Sequence, residues 1–246
     1  MSKLFFNFIL AGFFVLILSS CTSDEAIPET PSDLMLMYQE SEPGIDAYMT
    51  RVLVNKHFMR LDEGADESNY TLFDRQKNII YTVSHVQKSI MQVNPVKTDN
   101  KIKRQLILDA QKLEDKDLPS VAGQQPVHYQ LMVNDAVCAD VFVVEDMHQE
   151  AVTAMQEFNR VLASVHLKNI ENTPESMQDD CFLAHHVMSP SRTMQFGFPI
   201  LEQHIDGVSR LLVDFDKHFK VDPVVFSLPG GYRSVNMAGT SLDAGI

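Results

Sequence analysis

Tryptophan is absent from the 246 residues, cysteine occurs three times, and basic side chains number 20 against 33 acidic ones. The resulting net charge of −13 argues against nucleic acid and against charge-driven binding to anionic lipid. Signature motifs of chemistry are missing too: there is no G-x-S-x-G, H-E-x-x-H, C-x-x-C, G-x-G-x-x-G or Walker loop. No repeat period and no low-complexity tract interrupts the chain. These absences predict a protein that is not an enzyme and carries no cofactor. Methionine, by contrast, is frequent at 13 residues.

What is present begins at the N-terminus. Lys3 supplies a positive charge, and Phe5 to Leu18 is then apolar except for Asn7. That stretch is shorter than the ~20 residues of a membrane-spanning helix and has the length of a signal-peptide core. Leu18-Ser19-Ser20-Cys21 resembles the lipobox of bacterial lipoproteins, an aliphatic residue and two small ones before the cysteine that is diacylated after cleavage. The resemblance implies that residues 1–20 are a signal peptide and that Cys21 carries the lipid. Thr22, rather than Asp, follows the cysteine, which resembles the pattern of release to the outer membrane, facing the periplasm of a Gram-negative bacterium. Several acyl chains make such an anchor stable, where one alone is marginal. The expected membrane contact is therefore this anchor. Residues 22–33 hold four acidic groups, two prolines and no basic or aromatic residue, so residues 21–33 read as lipidated cysteine and solvated tether.

That address changes how two other residues are read. In an exported chain, Cys138 and Cys181 are an even pair in an oxidising compartment and predict a disulfide. Closing their loop would stabilise the fold by ~4 kcal/mol in the chain-entropy model.

From residue 34 to 94 the chain alternates short segments rich in β-branched and aromatic residues with turn-forming clusters such as Glu42-Pro43-Gly44. Segments 34–40, 45–55, 57–63, 70–74, 78–84 and 89–94 are expected as strands; their short connections require antiparallel pairing. Segments 125–133 and 136–145 form a further hairpin around Asn134-Asp135. The apolar period then lengthens: Met147, Ala151, Ala154, Met155, Phe158, Val161, Leu162 and Val165 recur at helical spacing. Asp146 with Gln149 reads as a capped helix start, and Thr173-Pro174-Glu175 as a second, running to about Val187. Strands resume at 198–205, 208–221 and 224–232. The fold class is α+β: a curved antiparallel β-meander, an unclosed barrel, with two adjacent helices inserted late and packed as a lid on the sheet. One domain spans 34–233, and 234–246 is a tail.

FMRLDEG, YTLFDRQKNIIYTVSH, IMQV, LPSVAGQQPVHYQL, AMQEFNRVLA, FGFPI and FSLPGGY together resemble a family of uncharacterised proteobacterial envelope lipoproteins. At fold level the arrangement is similar to the LolA/LolB lipoprotein carriers, an unclosed barrel with a helical lid over an apolar cavity. The resemblance implies a hydrophobic ligand, acyl or lipid, or a partner lipoprotein of the envelope. It assigns no residue, because fold does not fix function.

From the residues themselves, Met49, Met59, Met91, Met147 and Met155 with Phe73, Tyr81 and Phe158 are the candidate cavity lining, methionine being adaptable to irregular apolar ligands. Burial in an ordinary filled core is the competing account and the commoner fate of such side chains, and gives a structural or interaction module. Asp179, Asp180, Cys181, His185 and His186 sit within eight residues, Cys181 and His185 one helical turn apart, and suggest a soft-metal site that would lack its remaining ligands, the basis of a third reading as a metal-binding stress protein. Glu63, Asp66 and Glu67 lack the ligand spacing of a calcium loop. Asp62 and Asp74 have the residue types of a glycosidase pair but nothing in the sequence fixes their separation.

Overall fold

A computed structural model describes residues 33–97, 102–115, 118–170 and 172–235. Cys21, the lipobox, residues 22–32 of the tether and residues 236–246 of the expected 234–246 tail lie outside these described residues, whereas Asp33 opens a strand and residues 234–235 belong to another, with Val235 buried. Pro31–Ile246 forms one compact unit. Its described strands form one sheet with buried hydrophobic clusters packed on it, so it carries its own core.

The expected meander is present as β1 Asp33–Glu42, β2 Ile45–Val54, β3 Phe58–Asp62, β4 Tyr70–Asp74, β5 Ile79–Ser84 and β6 Ser89–Val93. It continues as β7 Leu108–Leu113, β8 Val127–Val133, β9 Ala136–Val144, β10 Phe198–His204, β11 Ser209–Phe219 and β12 Arg233–Val235. All twelve belong to one unclosed sheet in the order β12-β6-β5-β4-β3-β2-β1-β11-β10-β9-β8-β7. Every described neighbouring pair is antiparallel except β12 with β6. The chain thus starts in the middle of the sheet, walks to one edge, crosses to the other and walks back to pair β11 with β1.

Alternation decides which side chains meet. Leu36, Val52, Met59, Phe73, Ile80 and Val93 point to one face, and the intervening Leu53, Leu72, Tyr81 and Val83 to the other. Helix α1, Gln149–Ile170, lies on the first face: its Ala151, Val152, Ala154, Met155, Val161 and Val165 share one buried cluster with Leu36, Val52 and Phe73. The helix begins later than the sequence predicts. Asp146 and His148 both have positive φ, 56° and 44°, so Asp146 sits in a left-handed turn before the helix and is not its cap. Gly197, at φ 140°, lets the chain entering β10 approach the backbone of β9; a Cβ there would lie 2.7 Å from the Val144 carbonyl oxygen.

β7 and β12 are strands that the sequence pattern does not announce, and two expected elements take another form. Residues 224–232 are not a strand: Pro223–Phe226 form a 3-10 turn, capped by Asp222, that lies across the outer face of β3 and β4. Arg60 Nη1 donates to the Val225 carbonyl at 2.6 Å and Tyr70 Oη to that of Ser227 at 2.7 Å. The apolar residues there cover a sheet rather than join it. The second helix is also broken. A 3-10 turn at Glu175–Met177 is followed by α2, Asp180–Leu183, capped by the Asp179 carboxylate accepting from the Phe182 N–H at 2.7 Å. Then comes one π-helical turn, Ala184–Met188.

Candidate functional site

That π turn is the structural oddity of the molecule. Such turns are rare and concentrate at functional sites. Here it carries His185 and His186, and the segments on both of its flanks are tied down. The structure pairs Cys138 of β9 with Cys181 of α2, Cα atoms 5.4 Å apart, inside the roughly 7 Å limit of a disulfide. Arg104 donates to the Gln178 and Glu175 carbonyls and pairs with Asp180, fixing the approach to α2. Beyond the turn, Asn159 of α1 donates to the Pro190 carbonyl at 3.0 Å. Arg192 Nη2 donates to the carbonyls of Asp109 and Met132, on β7 and β8.

Between this turn, α1 and the sheet lies a cavity of about 240 Å³. Its walls differ by strand. Met59 and Leu61 of β3 and Val52 of β2 face Met155, Phe158 and Leu162 of α1 at one side. At the other are Arg210 of β11, Glu202 and His204 of β10, and His185, His186 and Arg192. A second cavity of about 440 Å³ shares His185, His186 and His204 and extends along the Cys138–Cys181 pair to Met177 and Ile205.

The electrostatics of the polar side are set by burial. His185 is 9 % exposed, and desolvation, with His204 and Arg192 nearby, pushes its pKa down to about 3, so it is neutral at pH 7. Burial also lowers His186, helped by His166 and His204, and lowers His166 itself. His185 and His204 meet edge to face, ring centres 5.3 Å apart. The Arg210 guanidinium lies 3.9 Å over the Tyr38 ring and 3.4 Å from the Glu40 carboxylate, with Glu202 opposite it across the strand pair.

Of the residues that the sequence singled out, Met59, Met155 and Phe158 line this cavity. Phe73 packs edge-on against Phe158, and Met147 and Met91 belong to the same cluster, so these three back the wall. Met49 and Tyr81 do not join them. Met49 is 39 % exposed near the open end of β2, and Tyr81 packs in the cluster on the opposite face, because both alternate outward.

Chemistry-bearing alternatives separate in space. Cys181 is taken up by Cys138, and among the described residues no three His, Cys, Asp or Glu side chains are arranged to hold a metal ion. Asp62 is engaged by Arg51 at 2.8 and 2.9 Å, Arg60 at 2.7 Å and the Gly64 N–H at 2.9 Å. Burial alone would raise its pKa, but these hydrogen bonds hold it below the ordinary value. Asp66 accepts from Arg51 instead of closing a calcium loop. Asp74 pairs with Phe58, four residues along β3 from Asp62. At about 3.4 Å per residue along the strand and about 4.8 Å between strands, the two are about 14 Å apart. Glycosidase carboxylates sit closer than that.

What sequence reading missed is the polar side. Its signal was inward alternation: Phe198, Ile200, Glu202 and His204 share a parity, so a strand that starts apolar ends with an acid and an imidazole on the buried face.

Comparison with protein-family models and with curated proteins finds no match. Among solved structures, the chain is similar to PNGF-II in two crystal forms, with 9 % and 11 % identity and TM-scores of 0.41 and 0.38. The matches cover 84 % and 83 % of this chain but only 32 % and 31 % of PNGF-II. It is also similar to an uncharacterised conserved protein from Thermus thermophilus, at 8 % identity and TM-score 0.41, covering 84 % of this chain and 91 % of that one. The chain thus spans about a third of PNGF-II. These likenesses are too slight to bear on the site.

Proposed function

We propose that the chain is a lipid-anchored, non-enzymatic protein of the bacterial envelope that holds a hydrophobic ligand between α1 and the sheet. The observation that carries this reading is the cavity of about 240 Å³ whose one wall is Met59, Met155 and Phe158. Flexible thioethers on both the sheet and the helix suit an acyl chain of variable shape. In this reading α1 is a lid, and its contacts with the sheet are exchanged for contacts with the ligand, at a cost of a few kcal/mol. The resemblance of the sequence to envelope lipoproteins, and of the expected fold to the LolA/LolB carriers, supports it, as does the lipobox ending at Cys21. Among the described residues no helix is long and apolar enough to cross a membrane, and the anchor supplies the attachment in this account.

The test is thermal unfolding of residues 22–246, which contain the whole compact unit, with and without laurate. A ligand at 100 times its Kd stabilises by about 2.7 kcal/mol, a rise in Tm of roughly 5–10 °C for a domain of this size. No shift with laurate or any longer fatty acid contradicts the reading.

A second account, a partner-binding module with a filled core, is favoured by a different observation. On the sheet face opposite α1, Met49 and Leu211 flank Gln39 across three strands, and Leu201 continues the row. Met49, Leu211 and Val213 are all exposed there. Under that account the row, and not the cavity, is the working surface.

A further inference from the structure

Resting on the ligand reading above, the structure assigns the ligand's chemical class: we infer a single-chain amphiphile with an anionic head, its tail against β2–β3 and α1 and its head at Arg192 and His185.

The cavity is graded along the sheet. From β3 to β10 there are four interstrand steps, β3-β2-β1-β11-β10. At about 4.8 Å each they span about 19 Å, less the curvature of the sheet. Methionine and leucine stand at the start of that path, Arg210, Glu202 and His204 at its end. A wholly apolar ligand would leave the far end unmatched, and a small polar one would leave the near end so.

Arg192 makes the sign of the head specific. It is 5 % exposed, and its Nη2 is engaged by two backbone carbonyls, but Nη1 is buried with no partner. Among the described residues no carboxylate lies within ion-pair distance of it. A buried guanidinium without a counter-ion is expensive, since desolvation is not offset by an opposite charge. His185, more than nine-tenths buried, likewise leaves Nε2 without a partner. Both residues line the same cavity. Arg210 also leaves Nε without a hydrogen-bond partner, but the Glu40 carboxylate 3.4 Å away answers its charge and Glu202 lies opposite, so the guanidinium without an ion-pair partner is that of Arg192. Apart from that Nε, what this side of the cavity leaves without a partner is one buried guanidinium N–H, on Arg192, and one imidazole nitrogen, on His185. A carboxylate or phosphate oxygen answers both, because charge-assisted hydrogen bonds to arginine are among the strongest available.

Four probes separate the possibilities by titration calorimetry on residues 22–246 at pH 7.5: laurate, dodecyl phosphate, methyl laurate and acetate. The expected result is that laurate or dodecyl phosphate binds at least tenfold tighter than methyl laurate, and that acetate binds far more weakly than either. Whichever anionic probe is tighter names the head as carboxylate or phosphate. Arg192→Gln should bring laurate and methyl laurate to equal affinity, and Arg192→Lys should keep part of the preference. Equal affinity of wild-type protein for laurate and methyl laurate would overturn the inference while leaving hydrophobic binding intact; this comparison needs no variant to fold. Acetate binding as tightly as laurate would also overturn it, since the tail would then contribute nothing. No binding of any alkyl probe would sink the ligand reading itself.

Discussion

His185 shows how much a single side chain can report. A group whose folded pKa lies below its unfolded one binds its proton more readily in the unfolded chain, so acid favours unfolding. Its stabilising contribution is complete above about pH 6.5 and is lost as pH falls toward 3, the value to which burial, His204 and Arg192 depress it, with His186 adding to them and Asp206 opposing. Between pH 7.5 and pH 5 the loss from this residue is about 2 kcal/mol, at about 1.4 kcal/mol per pKa unit. Burial lowers His186, His166 and His148 as well, which deepens the same trend. Urea unfolding at the two pH values should show at least that loss in wild-type protein and visibly less in His185→Gln. Identical pH dependence in the two proteins would mean that His185 is solvated. Asp62 is the opposite case, a buried carboxylate so fully engaged by Arg51, Arg60 and Gly64 that it has no free lone pair to lend to chemistry.

Among the elements, β1 to β6 were legible because each is short, rich in β-branched and aromatic residues and bounded by turn signals, although β2 to β4 are buried on both faces over part of their length. β7 was not: LDAQKL is an edge strand, half of it exposed, and carries no apolar alternation to read. Residues 224–232 misled for the converse reason, because an apolar segment laid across a sheet has the composition of a strand within one. The second helix was misjudged because Pro174 marks a plausible start, whereas Asp179 provides the cap that is used. The candidate cavity was half legible. Its apolar side follows from helical and strand periodicity, but its polar side gathers residues from β10, β11 and the 184–192 segment, and nothing local announces that meeting. The Cys138–Cys181 pairing has a consequence at this scale, because it ties the π turn to β9. With the loop it closes, reduction should lower stability by up to ~4 kcal/mol. Denaturant midpoints with and without reductant measure it. Two thiols titrating in protein purified without reductant would refute the pairing.

For the whole molecule, one sheet is put to different uses on its two faces. Opposite α1, the outer face of β3–β4 is covered by residues 223–226, while around Met49 and Leu211 it is open. The helix face holds α1, the π turn and the cavity. In the proposed account a lipid at Cys21 and an acidic tether hold this body at a membrane that its net charge, −14 once residues 1–20 and their Lys3 are removed, would otherwise repel. Labelled fatty acid fed to cells should enter the wild-type protein and not Cys21→Ala. Equal labelling of the two would remove the anchor from the account. The central claim, a bound amphiphile between α1 and the sheet, is tested most directly by what the protein carries out of the cell. Residues 22–246, exported behind a cleavable leader and purified without detergent, are extracted with solvent and the extract is analysed by mass spectrometry. The account predicts a single-chain anionic lipid in roughly equimolar amount, lost when Phe158 is replaced by Asp; an extract with no acyl species above background would contradict it.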